Sequence, residues 1–220
     1  MKTMQTIAII GASGNMGSVI SKSLAKGNYR LLLCANELDK VQAVVNEIKD
    51  NNPAAEVEAL DCTREASWEA DIIIAAVPYA AEQEVAEKIR EVANQKIVIS
   101  IANPLNDTYN GLVTSPETSA AEELQKLLPN SKVVKAFNTT FAADFSTPVI
   151  DGKQADAFIA GDGEEALQTV SGLVETAGFN PIIAGDLAVS GTLERMQLLL
   201  IQLNMKYDYN WLAGWKILHQ

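Results

Sequence analysis

Apolar runs without regular polar alternation recur along the chain, as is typical of strands buried on both faces. The runs are residues 6–10, 29–34, 56–60, 71–77, 96–101, 132–136, 155–161 and 180–184. Segments with helical periodicity separate most of them, and strands that alternate with helices imply right-handed crossover connections. The pattern therefore predicts an α/β fold with a doubly wound, mainly parallel sheet.

Between the runs, apolar residues recur at the spacing of one helix face. The predicted helices are residues 18–26, 39–49, 80–92, 117–128 and 164–176. The helix at residues 117–128 is expected to start around Ser115-Pro116-Glu117, because proline fits the first turn of a helix. Ligands of such a sheet are expected at its carboxyl edge, where the parallel strands end.

The last part of the chain has a different pattern. Residues 193–203 are apolar on more than one side, and four aromatic side chains follow, Tyr207, Tyr209, Trp211 and Trp215. The apolar run is too short to span a bilayer. We therefore predict an α/β domain at residues 1–184 and a helical extension at residues 185–220. The extension either packs against the sheet edge, closes over a ligand, or contacts a second copy in a homodimer.

A glycine-rich turn follows the first strand. Gly11, Gly14 and Gly17 have the spacing G-x-x-G-x-x-G, and a helical pattern comes next. We expect Gly11 to take backbone angles closed to other residues, Gly14 to leave room for a pyrophosphate, and Gly17 to let the helix pack on the strand. The helix N-terminus would then offer free N–H groups to phosphate. This context favours a dinucleotide site, although a tight turn without a ligand would use the same glycines.

Composition narrows the classes of partner and chemistry. The net charge of −11 over 220 residues disfavours nucleic acid and anionic membranes, which need clustered Lys and Arg. A single histidine, His219, disfavours histidine-based dehydrogenases, Ser-His-Asp hydrolases and histidine-ligated metals. Cys34 and Cys62 form no metal or redox motif and are expected to be buried thiols. The opening residues show no signal segment, so a cytoplasmic protein is expected.

Several runs together resemble one family, the NADP-dependent oxidoreductases that use the deazaflavin coenzyme of methanogens and actinobacteria. The resembling segments are residues 11–17, 72–78, 115–122, 133–139, 160–162 and 184–187, with Leu193-Glu194 in the last helix. The resemblance implies a Rossmann-like domain with a helical extension, often dimeric. It also implies hydride transfer between NADP(H) and a second redox ring held face to face. Because the hydride would pass directly between the two rings, no side chain is assigned as general acid or base.

The same resemblance implies where the cofactors lie. The cofactor-binding turn comprises Gly11, Ala12, Ser13, Gly14, Asn15 and Met16, of which Ser13, Asn15 and Met16 would contact the pyrophosphate. The residues implied to line the nicotinamide side are Val77, Pro78, Ala102 and Ala136. Those implied to form the site of the second ring are Phe137, Asn138 and Thr139.

The end of the second strand departs from the family. Ala35-Asn36 stands where relatives commonly have Ser-Arg, and Glu37 follows. Asn36 can donate to the 2′-phosphate of NADP or bond a free ribose hydroxyl, whereas Glu37 would repel the phosphate if it points inward. Lys40, one helical turn on, can reach a phosphate as a point charge. We expect NADP(H) to bind with a modest preference over NAD(H).

Two other functions share this pattern. A binding protein that senses NADP(H) would need the same glycine turn and no second ring. An imine reductase resembling pyrroline-5-carboxylate reductase would dimerise through a long helical domain, for which the residues after Ala184 are too few. The leading prediction is an NADP-dependent oxidoreductase with a small-molecule acceptor. The acceptor stays open between a deazaflavin, a flavin, a quinone and a metal chelate.

Overall fold

The computed structural model of the chain describes residues 4–219. Residues 1–3 and 220, which belong to the two predicted parts of the chain, lie outside this range. The predicted absence of a signal segment therefore falls partly on residues that are not described. Among the described residues, no helix is long and apolar enough to cross a membrane.

Eight strands form one sheet, and two more form a short hairpin. The described strands are β1 (Gln5–Ile10), β2 (Tyr29–Cys34), β3 (Glu56–Leu60), β4 (Ile72–Ala75), β5 (Ile97–Ser100), β6 (Lys132–Lys135), β7 (Val149–Ile150), β8 (Lys153–Gln154), β9 (Asp156–Gly161) and β10 (Asn180–Gly185). The sheet order is β10-β9-β6-β5-β4-β1-β2-β3, and β7 pairs with β8. Within the sheet, β6 and β9 pair antiparallel, whereas the other neighbours are parallel. The predicted doubly wound, mainly parallel sheet is confirmed.

Seven α-helices of the described chain cover both faces of this sheet. They are α1 (Asn15–Leu24), α2 (Leu38–Asn51), α3 (Thr63–Glu69), α4 (Tyr79–Ile89), α5 (Ala120–Leu127), α6 (Glu164–Thr176) and α7 (Ser190–Tyr207). One core holds apolar side chains of α1, α2 and α6, and a second core holds those of α3, α4 and α5. Because helices bury both faces, the central strands are apolar throughout rather than alternating.

The helix after the 106–116 loop starts later than the proline suggests. Ser119 caps α5, and its Oγ accepts a hydrogen bond from the Glu122 N–H at 3.2 Å. The Ser119 hydroxyl also donates to the Glu122 carboxylate. Ser119 is therefore the N-cap of α5, because its side chain satisfies one of the first free N–H groups of the helix. The predicted start at residue 117 is therefore wrong. Helix α3 and the β7–β8 hairpin were not predicted.

The residues after β10 form α7 and a returning tail. Helix α7 buries one face, including Leu193, Leu200 and Ile201. The tail then crosses back to the start of β9, where the Asp156 N–H donates to the Trp215 carbonyl at 2.8 Å. The Asp156 carboxylate accepts from Lys216 and from the Ile217 N–H. The extension is thus fastened to the sheet by a buried carboxylate rather than by apolar packing alone.

Candidate functional site

Two glycines of the turn are required by packing. Gly11 has φ of +85°, and a Cβ built there would lie 2.2 Å from the Ala76 carbonyl oxygen. A Cβ on Gly17 would lie 2.2 Å from the Gly11 carbonyl oxygen. Helix α1 can therefore approach β1 and β4 this closely only without side chains at these two positions. These two glycines support the strand-to-helix turn itself and do not by themselves indicate a ligand.

Gly14 has a different role in the turn. It is exposed, its φ of −75° is open to any residue, and a Cβ there would meet just the Gly11 carbonyl oxygen, at 3.3 Å. Gly14 is also the N-cap of α1, which has no side-chain cap and no acidic residue in its first turn. The first N–H groups of α1 are left facing a site that a side chain would fill. That arrangement suits an anionic phosphate, so the turn fits the pyrophosphate of a dinucleotide.

A cleft of about 290 Å³ runs from this turn across the ends of β2 and β4. The predicted cofactor residues that line it are Gly11, Ser13, Gly14, Ala35, Asn36, Val77 and Pro78. They come together because β1, β2 and β4 are parallel and end at one edge of the sheet. The structure thus joins the predicted phosphate turn to the predicted adenosine and nicotinamide residues.

Other predicted cofactor residues lie outside the lining of this cleft. Ala12 is fully buried in the core, Met16 packs partly against the same core, and Asn15 is exposed at the start of α1. Ala102 and Ala136 are buried after β5 and β6, farther along the same edge. Their roles at the pyrophosphate and the nicotinamide stay predictions.

Lys40 is paired with Glu37, which itself lines the cleft. Its Nζ lies 2.7 Å from Glu37 Oε1, and both side chains are well exposed. Lys40 lines neither of the two cavities that meet at the end of β2. The Glu37–Lys40 pair cancels the charge of both residues locally. That Lys40 contacts the cofactor also stays a prediction.

A second cavity of about 570 Å³ adjoins the cleft beyond β2. Its lining residues are Ala35, Asn36, Leu38, Asp61, Cys62, Thr63, Arg64, Glu87 and Lys88. The sequence analysis did not assign the polar residues of β3–α3 and α4 to a site. Helix α3 was not predicted, and Glu87 and Lys88 lie in the predicted helix at residues 80–92 without being singled out. A signal was nevertheless present: residues 61–64 directly follow a parallel strand, so they belong to the same carboxyl edge as Ala35.

The two cysteines also meet at this edge, in different environments. Cys34 is buried at the end of β2, and burial, with smaller contributions from Cys62 and Asp61, raises the pKa of its thiol to about 12. Cys62 is exposed and lines the second cavity. The expectation that both thiols are buried is therefore wrong for Cys62, because β3 ends at the surface where the chain turns into α3.

A buried ionic network lies at the ends of β5 and β6. Lys135 and Glu194 are both fully buried, and Lys135 Nζ lies 2.8 Å from Glu194 Oε1. The same ammonium donates to the Ala102 carbonyl at 2.6 Å and to Ser100 Oγ at 3.2 Å. Glu194 also accepts from the Ala120 N–H. Lys135 therefore joins the end of β5, the start of α5 and helix α7 at one point.

Glu82 extends this network from α4. Its Oε1 accepts a hydrogen bond from Ser100 at 2.9 Å, whereas its buried Oε2 has no protein partner. Burial raises the pKa of Glu82 to about 7, against the opposing pull of Lys135 and Ser100. A carboxyl group with this pKa gains a proton near neutral pH, which removes its negative charge from the network.

The predicted acceptor residues, 137–139, are buried. Phe137 is fully buried, has an unusual φ of +58°, and packs its ring on Phe145. Thr139 Oγ1 accepts from the Phe158 N–H, the Asn138 side-chain amide donates to Asn103 Oδ1, and the Asn103 side-chain amide donates to the Asn138 backbone carbonyl. A buried aromatic held at positive φ is backbone strain that the surrounding packing must stabilise. These side chains hold the loop from within, and their contact with a second ring stays a prediction.

No group of three or more His, Cys, Asp or Glu residues within residues 4–219 is arranged to hold a metal ion.

Comparison with known proteins identifies similar chains. A family model described as NADP oxidoreductase, coenzyme F420-dependent, matches residues 6–104. An F420-dependent NADP reductase of Methanocaldococcus jannaschii is 31% identical over 213 residues, which cover 91% of this chain and 93% of that protein. The metalloreductase STEAP3 of Rattus norvegicus is 34% identical over 106 residues, which cover 48% of this chain and 21% of that protein.

A solved structure has the same fold over the whole chain. It comes from a candidate F420-dependent NADP-reductase of Arthrobacter sp. FB24. The match covers 98% of this chain and 100% of that chain, with a TM-score of 0.84 and 22% sequence identity. At that identity the likeness shows the fold alone.

Proposed function

Because the chain belongs to the coenzyme F420-dependent NADP oxidoreductase family, we propose that it transfers a hydride directly between the nicotinamide of NADP(H) and coenzyme F420. The observation that carries the proposal is the open space beside Gly14, where a cleft begins that continues to the ends of β2 and β4. This space fits a pyrophosphate, and the cleft fits the rest of a dinucleotide. The match to the M. jannaschii reductase over nearly the whole chain supports the choice of reaction.

The chain contributes binding and orientation to this reaction. The first turn of α1 binds phosphate through its N–H groups, and Val77 with Pro78 forms an apolar wall at the end of β4. The Lys135 ammonium fixes the Ala102 carbonyl on the next strand. When bound, the nicotinamide supplies or accepts the hydride. A rate that depends on distance and alignment needs no protonating side chain, so a site without histidine is sufficient.

Coverage of the chain favours a deazaflavin over a metal chelate as the acceptor. The likeness to the metalloreductase stops at 48% of this chain, whereas that to the F420-dependent reductase covers 91%. A dinucleotide domain of this kind serves many reductases, so a match over half the chain carries no information about the acceptor. The longer match includes the elements beside the predicted acceptor loop.

Turnover with matched acceptors tests this proposal. Purified protein is mixed with NADPH and, in separate reactions, oxidised F420, FMN, a soluble quinone or a ferric chelate. We expect kcat/KM to be highest for F420, with deuterium from the nicotinamide C4 recovered in the reduced deazaflavin. Faster turnover of the ferric chelate, or NADPH binding without turnover of any acceptor, contradicts the proposal. Deuterium lost to solvent contradicts direct transfer.

We further propose that residues 185–220 pack against a second copy of the chain. Exposed apolar side chains concentrate there: Leu199, Met205, Tyr207, Tyr209, Trp211, Leu212, Ile217 and Leu218. A concentration of exposed apolar side chains on one helix and its tail is typical of a protein interface. Sedimentation velocity should show a dimer that Leu199→Glu converts to monomer. A wild-type monomer at micromolar concentration would contradict this part of the proposal.

A further inference from the structure

The end of β2 holds no free cation in the described chain. In dinucleotide folds this position meets the adenosine ribose, where NADP carries its additional phosphate. Here the residues are Ala35, Asn36 and Glu37, and the nearest cation along the chain, Lys40, is paired with Glu37 at 2.7 Å. Asn36 can donate one neutral hydrogen bond, which is weaker than a bond from a charged donor. If the protein discriminates NADP(H), the charge must come from another element.

Two cations line the second cavity together with Asn36. Arg64 comes from the first turn of α3 and Lys88 from the last turn of α4. Ala35, Asn36, Thr63 and Lys88 line both this cavity and the cleft at Gly14. The phosphate turn, the end of β2 and the two cations therefore border one continuous space.

Arg64 and Lys88 each form an exposed ion pair that a bound phosphate can replace. Arg64 lies 2.6 Å from Glu91, and Lys88 lies 2.6 Å from Glu84, with all four side chains largely exposed. Exposed ion pairs of this kind contribute little to stability, so a phosphate can replace the carboxylates at low cost. Glu84 and Glu91 would then turn to solvent without a burial penalty.

Because the charge around the cavity is mostly negative, a bound phosphate would need direct contacts with cations. Asp61 and Glu87 also line the cavity, and the whole chain carries a net charge of −11. The overall field therefore repels an anion, and diffuse attraction cannot hold it. A planar guanidinium that forms two parallel hydrogen bonds, with an ammonium beside it, can hold a phosphate against such a field.

We infer that Arg64 and Lys88 bind the 2′-phosphate of NADP(H) and set the preference over NAD(H). This inference rests on the proposed use of a dinucleotide and assigns to α3 and α4 the role expected of the β2–α2 connection. Asn36 faces the same phosphate or the ribose beside it. The preference should weaken as ionic strength rises, because the cavity is open to water.

The test compares two small probes, 2′,5′-ADP and 5′-ADP, which differ in one phosphate. Isothermal titration gives the ratio of their affinities for the wild type, Arg64→Gln, Lys88→Gln and Lys40→Gln. Lys49→Gln, an exposed change of the same charge at the far end of α2, is the matched control. We expect the ratio to fall about tenfold in Arg64→Gln and several-fold in Lys88→Gln, with Lys49→Gln at the wild-type value. Arg64→Lys should restore part of the lost ratio.

The inference is overturned if the wild type does not prefer 2′,5′-ADP, or if both cavity variants keep the wild-type ratio. It is equally overturned if Lys40→Gln alone abolishes the preference. Failure of the proposed function looks different, because it would leave the probe ratio intact while NADPH gives no hydride transfer to any acceptor. In contrast, failure of this inference alone leaves hydride transfer intact with NADPH and with NADH.

Discussion

Replacing Gly14 by valine separates the binding role of the turn from its folding role. Gly14 has φ of −75° and ψ of 167°, which a β-branched residue adopts readily. A Cβ there would be 3.3 Å from the Gly11 carbonyl oxygen, so a shift of a few tenths of an ångström accommodates it. A poorer N-cap costs about 1 kcal/mol, and a less flexible unfolded chain offsets about 0.4–1 kcal/mol of that. The melting temperature should change by about 4 °C or less.

The effect on binding should be much larger. The valine methyl groups would stand near the first N–H groups of α1, which we propose bind the pyrophosphate. Loss of one hydrogen bond to a charged group costs about 1.5–3 kcal/mol, which corresponds to about 10- to 100-fold in Kd. NADPH fluorescence titration measures that loss, and a thermal melt of the same sample confirms the fold.

Two other glycines serve as controls for the Gly14 experiment. Gly163 is the N-cap of α6, and a Cβ there would meet Ala166 Cβ at 3.8 Å, so Gly163→Val should keep both fold and affinity. Gly17→Ala should destabilise the protein, because its Cβ would lie 2.2 Å from the Gly11 carbonyl oxygen. A folded Gly14→Val protein with unchanged affinity for NADPH would refute the assignment of the turn to the pyrophosphate.

Three other changes probe the network and the loop beside it. Lys135→Met should lower the free energy of unfolding by about 3–5 kcal/mol, because it leaves Glu194 charged and buried. Urea denaturation measures this loss, and a loss under about 1 kcal/mol would contradict the prediction. The pKa of Glu82 is raised from its ordinary 4.5 to about 7. The contribution of Glu82 to the free energy of unfolding is therefore fully present below about pH 4.5 and is lost as the pH rises through about 7. Glu82→Gln should therefore reduce the decline in unfolding free energy over that range, and an unchanged slope would count against the assignment. Asn138→Leu should lower turnover of the acceptor more than it weakens NADPH binding, because it removes the hydrogen bond that the Asn138 side chain donates to Asn103 Oδ1. Normal turnover would contradict the placement of this loop at the acceptor site.

The order of residues along the chain is enough to predict the sheet and the edge of the sheet at which ligands are expected to bind. The central strands are mostly apolar rather than alternating, which indicates helices on both faces, and the predicted boundaries of β2 and β3 are correct to the residue. Parallel strands end at one edge, so the apolar pattern alone places the residues after β1, β2 and β4 together. The prediction fails where the local signal is weak or ambiguous: α3 is short, and Pro116 competes with the N-cap Ser119 as the start of α5.

Only the folded chain shows how charges are paired and which of them reach the site. Lys135 follows apolar residues in a strand, and nothing local shows that its ammonium meets Glu194 from α7 in the core. Lys40 is near the cofactor position along the chain but pairs with Glu37, whereas Arg64 and Lys88 are distant along the chain and line the cavity. The physical reason is that hydrophobic periodicity depends on neighbours in sequence, whereas Coulomb and hydrogen-bond energies depend on distances through space. Those distances are fixed only when the parallel strands bring their ends together.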